Sequence, residues 1–381
     1  MECVLGKTVY TGTSVKKNAY VCFSGKTIGS VSSKKQGDCR GTYPVITPAF
    51  IDPHSHIGMR RAGEPGDESE SNEKMDAIIP LTDALDSVQM DDASFRDAVE
   101  MGVLYSCVVP GSGNIIGGLS AVIRNYASNS SEALIARAGI KSAFGYNPMS
   151  TQTWKGTRPS TRMGALAMLR TKLHEVRQKE LRRKKAKGAK KKEITFTAPE
   201  EILRDILARK RKLRAHVHKS DDIAALLRLT DEFGLDVQVE HACDVHSPAI
   251  FRELRKRGIP VTYGPVDAFA YKVELKHETW RNAQLLVESG AEFGLMTDHP
   301  VTPCRQLFLQ TRWFTRCGFS KQDAVELVSF KNAKIIGVDN ILGSLAKRKW
   351  ASFVCWSGDP FDITSYPEAV FGEGKELLSK A

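Results

Sequence analysis

The stretch Thr47-Pro48-Ala49-Phe50-Ile51-Asp52-Pro53-His54-Ser55-His56 constrains this chain more than any other. An apolar run that leads into His-x-His reads as a buried strand delivering two imidazoles to its end. Side chains at i and i+2 share one face of a strand. His54 and His56 can therefore approach one metal ion together, with Asp52 on the same face one step behind. Imidazole is a common ligand for Zn²⁺ and Fe²⁺. Taken alone, the pair reads equally well as two surface histidines at a strand end, so the rest of the chain decides.

From residue 48 onward, strand-like runs alternate with longer helical stretches, the sign of a parallel α/β architecture. After the first strand come runs at 103–109, 119–123, 140–144, 213–217, 236–240, 259–263 and 292–296. Helical patterns lie at 94–101, 162–187, 199–210, 221–233, 248–257, 278–288 and 321–331. Eight candidate parallel strands with helices between most of them predict a (β/α)8 TIM barrel at 48–339, with a basic helical insertion around 149–212. The active face of such a barrel lies where its strands end. His54 and His56, His216 and His218, His241 and Asp298 all fall at those ends. Packing alone does not explain that many polar residues at one rim, so a metal site is expected there. Residues 1–47 read as short strands with a hairpin turn at Ser24-Gly25-Lys26, and 337–356 returns to short β-structure. Neither end can build a core by itself, so 1–47 and 340–381 are expected to pair as a small composite β-domain.

Bulk composition narrows the class. The 381 residues are 41% hydrophobic and 26% charged, which suits one large domain plus a small one. No apolar run is long enough to span a membrane, and the first residues lack a basic segment followed by an apolar core. The eight cysteines are scattered without a C-x-x-C pair, which predicts reduced thiols and a cytoplasmic setting. The formal charge is +11, and much of the excess lies at 177–192. With no aromatic residue interleaved there, the run reads as a solvated helix end, and nucleic acid is not expected as a partner.

With these residues placed, the chain resembles the amidohydrolase superfamily of metal-dependent hydrolases. The likeness rests on Pro48 to His56, Val239-Glu240-His241, Thr297-Asp298-His299-Pro300, and the tail Gly343-Ser344-Leu345 with Trp356-Ser357-Gly358-Asp359-Pro360-Phe361. A closer resemblance, to the imidazolonepropionase-related group, rests on 110–118, Asn147-Pro148, Thr161-Arg162-Met163-Gly164 and 215–223. It implies a barrel joined to a small β-sandwich built from both chain ends.

The resemblance also implies a reaction: hydrolysis of a non-peptide C–N bond, in a cyclic or small amide, by a water that a divalent ion activates. His54, His56, His216 and Asp298 are the implied ligands. His241 is either a ligand to a second ion or a hydrogen-bond donor to substrate. Asp298 also serves as general base and acid. His218, His299, Asn114, Arg158 and Arg162 are the candidate substrate contacts, the arginines as grips for a carboxylate. No acid ends the strand at 140–144, and Lys141 reads as lying at its start. One Zn or Fe ion is therefore expected, with two as the alternative. Alternative activities are a two-metal dihydroorotase- or dipeptidase-like hydrolase, an aminohydrolase (deaminase), or a ligand-binding relative without turnover. The expected partner is a small-molecule substrate, with homo-oligomers left open. Loops 63–76, 147–162 and 264–277 are expected to shape the pocket.

Overall fold

Strands whose every residue is apolar or paired can be buried on both faces, and that is how the chain uses its central segments. The computed structural model describes residues 1–61, 63–65, 67–268, 270 and 272–379. Expectations that touch Gly66, Phe269, Tyr271, Lys380 and Ala381 lie outside the described residues.

Among the described residues, eight strands form one sheet in chain order: Phe50–Ser55, Val103–Val108, Ile116–Arg124, Leu134–Ala143, Leu213–Val217, Val237–His241, Val261–Tyr263 and Phe293–Leu295. They are called barrel strands one to eight below. All six residues of strand one are buried, as are all five of strands five and six. The seam between strands one and eight is nearly closed by side chain and rim. The Asn332 amide donates to Ile51 O (2.7 Å) and to Leu295 O (2.8 Å). Above it, the amide of Asp298 donates to His54 O (3.1 Å) and that of His56 to His299 O (3.0 Å).

One strand departs from the expected all-parallel barrel. Strand three runs antiparallel to both strand two and strand four. The reason is connection length. Only residues 109–115 separate strands two and three, and a parallel return needs a crossover of a dozen residues or more. Strand four is also longer than expected, so Lys141 sits near its C-terminal end rather than its start.

The helices expected at 221–233 and 248–257 form as Ser220–Phe233 and Pro248–Arg257. The basic insertion carries Arg162–Lys185, capped by the Thr161 side chain, a short Ala189–Glu193, and Ala198–Leu207 behind a Thr197/Glu200 capping box. The single helix expected at 321–331 is two, Lys321–Leu327 and Phe330–Ile335. Among the described residues, none of the helices is long and apolar enough to cross a membrane.

The chain ends share a seven-stranded sheet that joins Glu2–Tyr10, Val15–Ser24, Thr27–Ser32 and Asp38–Pro48 to Phe353–Trp356, Pro367–Gly372 and Lys375–Ser379. The last hairpin lies beyond the 337–356 region where β-structure was expected. The sheet curls on itself: Phe23, from one wing, meets Phe353 (5.6 Å between ring centroids) and Phe371 (5.9 Å) from the other. The expected two-layer packing is thus made from one continuous sheet around its own core. Within it Cys3 and Cys22 are joined by a disulfide, contrary to the expectation of reduced thiols. Antiparallel pairing puts the two directly opposite, a proximity that their separation of 19 residues does not announce.

Candidate metal centre

The rim of the barrel gathers two groups of potential ligands. His54, His56 and Asp298 form one, and His216, His218 and His241 the other; within each, the ligand atoms lie within 4.8 Å of one another and all six residues are buried. The groups adjoin, with the rings of His54 and His241 5.0 Å apart and those of His216 and His241 4.1 Å apart. The His54 and His56 Nε2 atoms approach Asp298 Oδ1 at 3.4 and 3.2 Å.

Ring orientation follows from what each Nδ1 meets. His54 Nδ1 lies 2.7 Å from Glu240 Oε2, His56 Nδ1 2.8 Å from Val109 O, and His241 Nδ1 2.9 Å from Gly264 O. Carbonyl and carboxylate oxygens only accept, so each Nδ1 carries the proton and each Nε2 turns a lone pair toward the centre. Among the described residues, Nε2 of His54 and His241, Nδ1 of His216 and both ring nitrogens of His218 have no hydrogen-bond partner. Burial lowers the pKa of His56, of His216 and His241 strongly, and of His218 to about 4. Neutral, buried imidazoles with orphaned lone pairs fit a divalent ion of borderline softness.

The local backbone serves the same end. Strand alternation would send Glu240 and His241 to opposite faces. His241 instead takes φ +77°, so it turns over the rim while Glu240 stays in the barrel interior against His54. Asp298 also sits at positive φ (+50°), an uncommon backbone region for a non-glycine residue. Asp52 holds that turn from below, accepting from the Thr297 hydroxyl and, at 3.2 Å, from the Thr297 amide.

The sequence profile of the Amidohydrolase family matches residues 45–377, nearly the whole of this architecture. The chain belongs to the amidohydrolase family. An amidohydrolase from Thermotoga maritima MSB8 is 32% identical and superposes with a TM-score of 0.90, with 100% of both chains covered. Amidohydrolase tasK of Hapsidospora irregularis is 24% identical over 352 residues, which are 86% of this chain and 36% of that one; the chain thus spans about a third of that relative. A prolidase crystallised with N-methylphosphonate-L-proline shares the fold (TM-score 0.64, 14% identity, 99% of each chain covered).

Several residues of this amidohydrolase's centre carry no mark in the ligand pattern. Lys141, fully buried, donates from Nζ to Pro110 O (2.9 Å) and Ser112 Oγ (3.1 Å). Burial lowers its pKa to about 8, and its charge is felt by His56 and His216. Sequence places Lys141 at the start of its strand, and the longer strand Leu134–Ala143 instead puts it near the end. Glu274, 2% exposed, accepts from the Tyr146 amide (2.9 Å) and points Oε1 at His216 and His218 Nε2 (3.7 and 3.9 Å). It arrives on the segment after strand seven, and nothing in local sequence predicts that reach. Asn147 Nδ2 lies 3.0 Å from His216 Nε2. Gly145, at φ +78°, leaves room there: a Cβ would lie 2.9 Å from both Asp222 Oδ2 and Glu274 Oε2.

Of the candidate substrate contacts, His218 joins the second triad rather than standing apart from it. The other four are taken up by protein partners. Arg162 makes a two-pronged pair with Asp222 (2.7 and 3.2 Å). Arg158 donates to Asn114 Oδ1 (2.6 Å) and lies over Trp154, while Asn114 donates to Glu73 O. His299 accepts from the Cys304 amide through Nδ1 (3.2 Å), which shapes the turn behind Asp298. The cavity of about 230 Å³ over His56 and Asp298 is bordered instead by Arg60, Asn72, Ser112, Trp154 and Lys272. Arg162 is thus paired with Asp222 and Arg158 with Asn114, while Arg158 Nη2 is buried without a partner among the described residues.

Proposed function

We propose that this amidohydrolase cleaves a non-peptide C–N bond in a small polar amide or cyclic amide, with His54, His56, His216, His241 and Asp298 as metal ligands and Asp298 as the proton-transfer group. The observation that carries this reading is the set of three histidines whose Nδ1 protons are committed to fixed acceptors, leaving Nε2 free at one centre. A bound divalent ion supplies Lewis-acid polarisation of the carbonyl and lowers the pKa of water. The chain's own residues do the rest. Burial works to raise the Asp298 pKa, but the imidazoles of His54, His56 and His241 around it outweigh that and hold the carboxyl well below the usual range. Asp298 is thus ready to accept a proton and to deliver it to a leaving nitrogen. The small, mostly polar cavity favours a compact substrate.

Two adjoining triads favour two ions over the single one expected from sequence. Lys141 and Glu274 are the two groups placed to supply a bridging carboxylate. For Lys141 this requires its neutral amine to add to CO₂, giving a carbamate and releasing a proton, and a pKa of about 8 makes that amine available near neutrality. Membership in the imidazolonepropionase-related group is part of the same proposal. So is the division into a small domain of 1–47 with 340–381 and a barrel of 48–339.

Metal content after gentle purification, followed by a screen against cyclic amides, N-acyl amino acids and aminated heterocycles, tests this reading. Bound Zn or Fe and chelator-sensitive hydrolysis of an amide are expected. Release of ammonia from a heterocycle would move the assignment to a deaminase, and negligible metal would overturn it.

A further inference from the structure

A third group of ligand-type side chains stands outside this centre. Asp244, His246 and His277 offer ligand atoms within 4.8 Å of one another. Asp244 and His246 lie on the loop after barrel strand six, and His277 lies at the end of the segment after strand seven. The two histidine rings are 4.0 Å apart at their centroids. The chain has built the acid into place rather than leaving it on the surface. The Asp244 side chain is 1% exposed, whereas that of His277 is 50% exposed. Asp244 Oδ1 accepts from the His277 amide (2.6 Å), and Oδ2 faces His277 Nδ1 at 3.4 Å. Asn282 staples the same two loops, donating to Cys243 O (3.1 Å) and His277 O (2.8 Å). Glu278, beside them, has a buried Oε2 that finds no partner among the described residues.

We propose that Asp244, His246 and His277 form a second, outer site for a transition-metal dication of the Zn²⁺ class, separate from the catalytic centre. Two imidazoles and one carboxylate suit Zn²⁺, Ni²⁺ or Cu²⁺, whereas Mg²⁺ and Ca²⁺ prefer sites made wholly of oxygen. An ion bound at about 2.0–2.1 Å needs ligand atoms no more than about 4.2 Å apart. The ligand atoms lie within 4.8 Å of one another, and the two histidine rings are exposed and free to turn toward a shared ion. The consequence is mechanical. His277 follows Glu274 by three residues, so an ion held here ties the segment that carries Glu274 to the loop that follows His241. Open coordination positions toward solvent make this a weaker, exchangeable site than the buried centre.

Equilibrium dialysis of the purified full chain against buffered Zn²⁺, with bound zinc counted by mass spectrometry, tests the proposal. The wild-type protein should bind one exchangeable equivalent more than a His246→Ala/His277→Ala variant, with the tightly held metal equal in both. Asp244→Asn, which keeps an oxygen for the His277 amide, should lose the same equivalent. Near-UV circular dichroism establishes that each variant is folded. Retention of the exchangeable equivalent in the folded double variant, or loss of tightly held metal in its place, would overturn the site.

Discussion

Glu240 shows how a residue that touches no substrate can govern the centre. It accepts from His54 Nδ1 on one oxygen and from Arg214 Nε (2.8 Å) and Gln238 Nε2 (2.8 Å) on the other. Burial alone would raise its pKa, but the Arg214 guanidinium and then His54 bring it down to about 2. Glu240→Gln should weaken metal binding by about 10–100-fold, because the His54 ring loses its charged partner. The same change leaves Arg214 buried without its counter-charge, which costs about 3–5 kcal/mol; metal titration and denaturant unfolding separate the two effects. The lowered pKa also sets an acid limit. An unfolded Glu titrates near its ordinary 4.5, so the folded state gains from Glu240 above that pH and loses the gain as pH falls toward about 2. Unfolding free energy of the wild-type protein should therefore drop across that interval, and the Glu240→Gln variant should show a shallower drop.

At the scale of elements, the basic insertion is tied down by an ion pair at its start and by cations packed on an aromatic ring farther along. Arg162, at the start of helix Arg162–Lys185, pairs with Asp222 in the first turn of Ser220–Phe233. Farther along, Lys179, Arg183 and Arg204 surround the Phe196 ring at 5.2, 5.7 and 5.0 Å. The aromatic residue absent from the basic run is thus brought to it by folding, as packing between two helices. Because the Asp222 carboxylate is buried and Arg162 is its charged partner, Arg162→Ala should cost about 1–3 kcal/mol in stability. It should leave KM for an anionic substrate within about a factor of three. A rise of more than tenfold in KM with stability unchanged would restore Arg162 to the substrate side. Element periodicity made most of the helices readable, since capping residues and apolar spacing are local. The antiparallel third strand was hidden, because parallel and antiparallel strands share one apolar pattern and only the short connection at 109–115 distinguishes them.

Across the whole molecule, the sheet shared by the two chain ends depends on residues more than 300 positions apart. Phe353 is fully buried and stacks on Phe371 (4.6 Å) against Phe23. Phe353→Ala should destabilise the protein by about 3–5 kcal/mol. Thermal unfolding would show this as a lowered midpoint, while metal content per folded chain stays constant, since Phe353 pairs with Pro48 ahead of barrel strand one and His54 stands toward that strand's other end.

The strand-to-histidine pattern by itself determined the barrel, its active rim and the identity of the six clustered residues, because strand alternation and helix periodicity are short-range constraints that any reader of the chain can apply. What joined them was decided only in three dimensions. His218 clustered with His216 and His241, Lys141 and Glu274 were brought to the rim, and Arg158 and Arg162 were paired with Asn114 and Asp222. Each of those outcomes turns on a contact between segments far apart in the chain, where burial and the need to pair every buried polar group select one partner from many. The register between Cys3 and Cys22 and the turn of His241 over the rim belong to the same class. Local pattern names the candidates, and long-range packing chooses their partners.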